Sequence, residues 1–124
     1  RTLLMSPEFL SLLSEITSTK LKPNAIDLSA SLYQDTDFLL CHDDQLEGRK
    51  IAFFYYLSDL EEKDGGALAL FNSEKGKPVG VAKRIYPKFN TFAFFLVSPK
   101  SFHQVEEVVS DTQRIAISGW FHGN

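Results

Sequence analysis

The sequence predicts an all-β domain with a single N-terminal helix, and two observations lead to this fold class. After residue 25 the chain consists of short apolar or alternating segments, with Gly, Pro, Asn or Asp turn signals about every 8–12 residues. Only the segment 1–20 places apolar residues at helical spacing. Because about eight antiparallel strands form a sandwich or barrel, we expect a jelly roll, also called a double-stranded β-helix.

The helix within residues 1–20 has a clear start signal. Ser6 is expected to be the N-cap and Pro7 the first helical residue. Its apolar stripe is expected to pack on a sheet and consists of Phe9, Leu10, Leu13 and Ile16.

The strands are predicted from runs of apolar or alternating residues between the turns. Segments 51–57 and 91–97 are apolar on both faces and are expected to be buried strands, whereas 79–86 is expected at an edge. The charged segment 59–64 is expected to be a solvated loop that could border a substrate entrance. The full set of predicted strands is 25–33, 38–42, 51–57, 67–71, 79–86, 91–97, 101–105 and 114–121.

Length and composition indicate one folded domain. The 124 residues are 44% hydrophobic with 11 Phe, which excludes disorder and suffices for one core. We expect a single domain over 1–124, with a helical segment 1–20 and a jelly-roll core 25–123. The sequence begins with Arg1 and stops after an apolar segment, so we expect it to be a piece of a longer protein.

Charge and cysteine content exclude several classes of partner. The net charge of −3 gives no electrostatic basis for binding nucleic acid or an anionic membrane, and no apolar run is long enough to cross a bilayer. The single Cys cannot form an internal disulfide, which favours a reducing compartment. We therefore expect no direct nucleic-acid partner and no membrane partner, while the oligomeric state stays open.

The end of the second predicted strand carries a candidate metal-binding pair. His42 and Asp44 are two positions apart, so in an extended strand they face the same side, with Cys41 and Asp43 facing away. Such a pair supplies two of the three ligands of a 2-His-1-carboxylate iron site. The alternative is an ordinary solvated turn.

His103 is the candidate third ligand. It opens a later strand, and a jelly roll can place that strand beside the one that ends at His42. Three protein ligands on one face of a metal would leave three octahedral positions open for a chelating molecule and dioxygen.

The last predicted strand carries a candidate anion-binding residue. Alternation places Arg114, Ala116, Ser118 and Trp120 on one face. A guanidinium on an apolar strand needs a carboxylate partner, and its planar fork suits one. The partner is either a ligand, for which the small neighbours leave room, or a carboxylate of the protein itself.

These residues carry a resemblance to a known family. The set His42, Asp44, His103 and Arg114 resembles the signature of the Fe(II)- and 2-oxoglutarate-dependent oxygenases. From about residue 33 to 123 the chain more specifically resembles the prolyl hydroxylases that modify a small-subunit ribosomal protein. The stretches that carry this resemblance are 39–49, Tyr55-Tyr56-Leu57, Asp64-Gly65-Gly66, 94–99, 101–105 and 117–123.

The resemblance implies a role for each matching residue. His42, Asp44 and His103 would bind Fe(II) and form the catalytic centre. Arg114 would bind the distal carboxylate of 2-oxoglutarate, with Tyr56 donating a hydrogen bond to it. The cosubstrate pocket would also be lined by Tyr33, Leu68, Ser118 and Trp120. Ala116 stands where many such oxygenases carry Ser, so Ser118 is left as the candidate for that hydroxyl contact.

The resemblance also implies an activity. The expected reaction is hydroxylation of a prolyl residue in a protein, with O2 consumed, succinate and CO2 released, and ascorbate as a supporting reductant. The expected substrate is a ribosomal protein and the expected location is the cytoplasm, the nucleus or both.

The sequence leaves two other hypotheses about function open. One is a related oxygenase with another target, such as a hypoxia-type prolyl hydroxylase; the acidic composition argues against a nucleic-acid demethylase. The other is a catalytically silent jelly-roll interaction module, which would have no need of an intact iron and cosubstrate set.

Overall fold

A computed structural model describes residues 3–123. Helix α1 spans Pro7–Thr17 and begins as expected, because the Ser6 side chain accepts a hydrogen bond of 3.2 Å from the backbone amide of Phe9. The helix ends at Ser18, whose φ of 52° turns the chain out of the helix. Within residues 3–123, no helix has the length and apolarity required to cross a membrane.

In the described part of the chain, eight strands in two antiparallel sheets confirm the predicted jelly-roll fold. The major sheet has the order β1-β8-β3-β6 and the minor sheet β2-β7-β4-β5. The strands are β1 Leu21–Tyr33, β2 Leu39–His42, β3 Arg49–Tyr56, β4 Leu68–Glu74, β5 Lys77–Ile85, β6 Thr91–Leu96, β7 His103–Val105 and β8 Arg114–Gly123.

Helix α1 covers one face of the major sheet. Leu13 is 1% exposed and belongs to one buried cluster with Phe53 of β3 and Phe121 of β8. Phe9 meets Phe92 of β6 edge-on, with ring centroids 5.4 Å apart. Because the helix packs on this face, the opposite face of β3 and β8 is the one that meets the minor sheet and forms the site.

The predicted burial of the strands is confirmed for two of them and wrong for the third. β3 lies inside the major sheet with both faces covered, and β5 lies at an edge of the minor sheet. β6, predicted as buried, is an edge strand whose residues are at most half-buried. Its Phe side chains project to both faces of the sheet. Phe92 packs on α1, and Phe95 packs on His103 with ring centroids 4.7 Å apart.

We predict that Leu13→Ala destabilises the protein by about 2–5 kcal/mol, because it removes a fully buried side chain from the contact between the helix and the sheet. Leu12→Ala is the matched control: Leu12 is 50% exposed, and its loss should change stability by about 0.5 kcal/mol or less. Urea denaturation of both variants measures the difference, and equal destabilisation would contradict the packing described.

Candidate active site

A cavity of about 270 Å³ lies between the two sheets and contains most of the predicted site residues. A larger cleft of about 670 Å³ shares only Arg49 with it and contains none of them. Side chains from both sheets enclose the cavity: Ser29, Ser31, Tyr33, Leu39, His42, Asp44, Arg49, Ala52, Phe53, Phe54, His103, Val105, Arg114, Ser118, Gly119 and Trp120.

The predicted metal ligands converge on one point of this cavity. Ligand atoms of His42, Asp44 and His103 all lie within 4.8 Å of one another, and no other such group of three occurs within residues 3–123. His42 Nε2 is 2.8 Å from Asp44 Oδ1, and His103 Nε2 is 3.0 Å from Asp44 Oδ2. Two imidazoles and one carboxylate are the donor set of a non-haem Fe(II) site.

Strand pairing brings the two histidines together. His42 and His103 are directly opposite each other in the β2–β7 ladder, with ring centroids 4.3 Å apart. The sequence-based reason for the position of Asp44 is wrong, however. β2 ends at His42, and Asp44 has a φ of 64°, in the left-handed region. A turn beyond the strand, and not alternation along it, directs the carboxylate to the histidines.

Each histidine is oriented by the backbone of its own segment. His42 Nδ1 lies 2.7 Å from the carbonyl oxygen of Leu40, and His103 Nδ1 lies 2.7 Å from that of Ser101. A carbonyl oxygen only accepts hydrogen bonds, so Nδ1 is the donor in both rings. This assigns both Nε2 atoms to the centre of the cluster, as a metal site requires.

Hydrogen bonds and charge hold the cluster together. Burial alone would raise the pKa of the Asp44 carboxyl, but hydrogen bonds from His103 and His42 outweigh it and hold that pKa well below its usual range. The hydrogen bond to Asp44 raises the pKa of His42, against the opposing effect of burial.

Arg114 is fully buried and lines the same cavity. Its Nε donates a 2.7 Å hydrogen bond to the carbonyl oxygen of Gly66, while its Nη2 has no hydrogen-bond partner within residues 3–123. The rings of Tyr33 and Tyr56 each lie 5.3 Å from the guanidinium carbon. Burial lowers the pKa of Arg114, and the nearby Tyr56 opposes this. A buried cation with a free donor is suited to an incoming carboxylate.

Two predicted cosubstrate residues lie outside the set that lines the cavity. Tyr56 is fully buried, and its hydroxyl, like Arg114 Nη2, lacks a partner within the described residues. Burial raises the Tyr56 pKa, while the charge of Arg114 opposes this effect. Leu68 is 1% exposed and packed in the interior. The roles of these two residues therefore stay predictions.

The Asp64-Gly65-Gly66 turn supports Arg114. The expectation of a solvated loop over 59–64 is confirmed for four of its residues, which are exposed, and is wrong for Leu60 and Asp64, which are buried. Asp64 is 6% exposed. Its carboxylate accepts hydrogen bonds from the Glu61 amide at 2.9 Å, the Ser110 hydroxyl at 2.8 Å and the Thr112 hydroxyl at 3.2 Å. It thereby ties the turn to the segment that leads into β8. Gly66 has a φ of 72°, and a Cβ there would come within 2.6 Å of the Leu60 side chain.

Three polar residues of the cavity were not predicted as site residues from the sequence. Ser29 and Ser31 line it from β1, on the same strand face as Tyr33. Alternation from Tyr33 would have found both. Arg49 starts β3 and also lines the cavity, but only the fold reveals this, because the turn at Asp44 and the start of β3 place it there. By contrast, His122 lies outside the cavity and pairs with Asp27 at 2.7 Å.

The chain belongs to the 2OG-Fe(II) oxygenase superfamily, whose family model matches residues 28–122. This match covers all three residues of the metal cluster and Arg114. The family implies Fe(II), 2-oxoglutarate and O2, in agreement with the convergence of two histidines and one carboxylate.

Among curated proteins, the chain is similar to prolyl 3-hydroxylases. It is 47% identical over 119 residues to "Prolyl 3-hydroxylase OGFOD1" of Xenopus laevis, which covers 94% of this chain and 23% of that protein. It is 44% identical over 115 residues to "Prolyl 3-hydroxylase sudestada1" of Drosophila melanogaster, covering 86% of this chain and 22% of that protein. The chain thus spans less than a quarter of the length of these two relatives.

Solved structures share the fold. A prolyl-4-hydroxylase from Pseudomonas putida superposes with a TM-score of 0.76 at 21% identity, covering 94% of this chain and 62% of that one. A prolyl hydroxylase from Trichoplax adhaerens, solved with a hypoxia inducible factor peptide fragment, gives 0.68 at 21% identity, covering 93% and 55%.

We predict that Asp64→Asn destabilises the protein at neutral pH, because an amide nitrogen would face the donor at Glu61 or Ser110. The amide of Glu61 and the hydroxyl of Ser110 lower the Asp64 pKa below 3.8 in the folded state, so the stabilisation is present above about pH 3.8 and is lost as the pH falls below it. Urea midpoints of wild type and variant should therefore differ at pH 7 and converge towards pH 3.

The exposed Asp111 supplies the control for this experiment, since Asp111→Asn should leave the midpoint unchanged at both pH values. A gap between wild type and Asp64→Asn that is as large at pH 3 as at pH 7 would show that the carboxylate is not the source of the stabilisation.

Proposed function

We propose that this chain is the oxygenase domain of a peptidyl-prolyl hydroxylase that uses Fe(II), 2-oxoglutarate and O2. The observation that carries the proposal is the position of two complementary features in one cavity. A cluster of two histidines and a carboxylate lies in the same 270 Å³ space as a buried, incompletely hydrogen-bonded arginine. The names of the curated relatives support the choice of a prolyl residue as target.

The residues present fit the cofactor and the cosubstrate. His42, Asp44 and His103 would hold Fe(II), since both Nε2 atoms and the carboxylate are directed to one point. Arg114 would hold the distal carboxylate of 2-oxoglutarate through its free Nη2, and Tyr33, Ser118 and Trp120 would enclose the rest. When bound, the iron and cosubstrate supply O2 activation, coupled to release of succinate and CO2.

The chain's own residues position the reaction and exclude water from the inner end of the cavity. His103 and Arg114 are at most 1% exposed, whereas the His42 side chain is 34% exposed. The cavity therefore opens on the His42 side, and we propose that the substrate proline approaches from there. Tyr56, which is buried beside Arg114, is a candidate second donor to the cosubstrate carboxylate.

The substrate is proposed to be a proline in a ribosomal protein. Support comes from the similarity to curated prolyl 3-hydroxylases and from the stretches of sequence that resemble ribosomal prolyl hydroxylases. A hypoxia-type target is the second candidate, favoured by the fold likeness to the hydroxylase solved with a hypoxia inducible factor peptide. The cytoplasm or nucleus is the proposed location, in keeping with the free thiol of Cys41.

Anaerobic addition of Fe(II) and 2-oxoglutarate to the metal-free protein should produce a metal-to-ligand charge-transfer band in the visible spectrum. His103→Ala should abolish it, because one of three ligands is lost. His122→Ala is the matched control and should keep the full band, since His122 lies outside the cavity. The site assignment fails if the wild type gives no band or if His103→Ala leaves it intact.

Mass spectrometry of ribosomal proteins incubated with the enzyme should reveal a gain of one oxygen atom on a prolyl residue. The gain should require 2-oxoglutarate and disappear with His103→Ala. A parallel incubation with hypoxia inducible factor peptides tests the second candidate. If oxygen is added to those peptides and not to ribosomal proteins, the ribosomal-substrate proposal is wrong and the hypoxia-type target takes its place.

A further inference from the structure

Two residues outside the metal cluster make direct contact with its carboxylate residue. Trp120 Nε1 donates a 3.1 Å hydrogen bond to Asp44 Oδ2. The guanidinium carbon of Arg49 lies 3.5 Å from the centre of the Trp120 ring, which is a close cation–π contact. Arg49 Nη1 also donates a 3.3 Å hydrogen bond to the backbone carbonyl of Asp44. Arg49 and Trp120 thus contact both the backbone and the side chain of this ligand.

Asp44 depends on such contacts more than the two histidines do. His42 and His103 are paired in the β2–β7 ladder, and each ring is fixed by a carbonyl of its own segment. Asp44 lies beyond the end of β2, outside any ladder, with a φ of 64° that non-glycine residues rarely adopt. Neither strand pairing nor its intrinsic backbone preference holds Asp44 in place.

The contact from Trp120 is also one that a metal would not replace. In the cluster as described, the histidines hold Asp44 through their Nε2 atoms, and these are the atoms that would turn to the metal. The Trp120 indole nitrogen is a donor only and is no metal ligand. Its hydrogen bond to Oδ2 is therefore compatible with a metal in the cluster, and it would leave Oδ1 as the freer oxygen for coordination.

We infer that Trp120 and Arg49 are positioning residues that set the orientation of the Asp44 carboxylate for metal binding. Trp120 holds one carboxylate oxygen, and Arg49 holds the plane of the Trp120 ring and the backbone of Asp44. A carboxylate with one oxygen committed in this way binds a metal through the other, which keeps coordination positions open for a chelating cosubstrate and O2. This rests on the proposed function and gives Trp120 a role beyond lining the cosubstrate pocket.

The two roles of Trp120 predict different metal affinities when the cosubstrate is absent. A residue that only lines the 2-oxoglutarate pocket affects cosubstrate binding and leaves metal affinity unchanged. A residue that orients Asp44 affects the affinity for the metal alone. Trp120→Phe separates them, because it keeps an aromatic ring for Arg49 to cover, although a smaller one, and removes the N–H donor.

The experiment is a titration of the metal-free full chain with Mn(II) alone, with free Mn(II) followed by electron paramagnetic resonance. Trp120→Phe should raise the Kd for Mn(II) by about 10- to 100-fold, the usual effect of losing a partner of a metal ligand. Arg49→Gln should raise it by a smaller, several-fold factor, because it acts partly through Trp120. The control Arg84→Gln removes an arginine that pairs with Glu106 outside the cavity, and should leave the Kd unchanged.

A second measurement separates orientation from a loosened fold. Absorption bands of bound Co(II) report the ligand arrangement, so they should shift in Trp120→Phe and Arg49→Gln and stay as in wild type in Arg84→Gln. Weaker metal binding with unshifted Co(II) bands would overturn the inference in favour of a general structural effect.

Other outcomes are equally decisive. An unchanged Kd in Trp120→Phe overturns the inference, and if that variant does not fold, an unchanged Kd in Arg49→Gln does so instead. A wild-type protein that binds neither Mn(II) nor Co(II) refutes the proposed metal site itself, which is a different failure from a wild type that binds both and variants that bind equally well.

Discussion

The burial of one positive charge shapes much of this structure. Arg114 has no exposed surface, and transferring a guanidinium out of water is costly unless its donors are satisfied. The fold satisfies it in part, through the Gly66 carbonyl and the rings of Tyr33 and Tyr56. Its Nη2 has no hydrogen-bond partner within the described residues and is available to a ligand. The fold therefore buries a cation whose hydrogen-bonding capacity is incompletely used within the described residues.

The turn around Gly66 is the device that makes this burial feasible. Gly65 pairs with Val108 in an isolated bridge, and the Gly66 amide donates to the Glu107 carbonyl at 3.1 Å, so the turn lies flush against the segment before β8. Neither glycine tolerates a side chain in that position without displacing a neighbour. The conspicuous Asp64-Gly65-Gly66 sequence therefore acts outside the cluster of His42, Asp44 and His103, by fixing the start of the strand that carries Arg114.

The sequence was most informative where the backbone is regular. Alternation along β8 correctly placed Arg114, Ser118 and Trp120 on the cavity side, because that strand is uninterrupted. It failed at Asp44, where the strand stops and a left-handed residue reverses the direction of the side chain. Local sequence patterns predict which face of a strand a residue occupies, but they do not predict the geometry of the turn that follows the strand.

Burial was also harder to infer than strand identity. The Phe-rich β6 has the composition of a buried strand, yet it lies at an edge, since sheet order depends on contacts distant in sequence. Asp64 was assigned to a solvated loop on its charge, whereas hydroxyls from residues 110 and 112 make its burial favourable. Arg49 was not predicted as a site residue for the same reason: its partners, Asp44 and Trp120, are brought next to it only by the fold.

The edge strand β5 has a consequence for how the protein behaves among other copies of itself. An open edge offers unpaired backbone groups to which another chain can add a strand. β5 carries Lys77 and Lys83 together with Pro78, so its edge combines positive charge with a residue that lacks an amide donor. Strand addition there would bring like charges together and forfeit a hydrogen bond. The minor sheet is thereby protected against aggregation at its longest exposed edge.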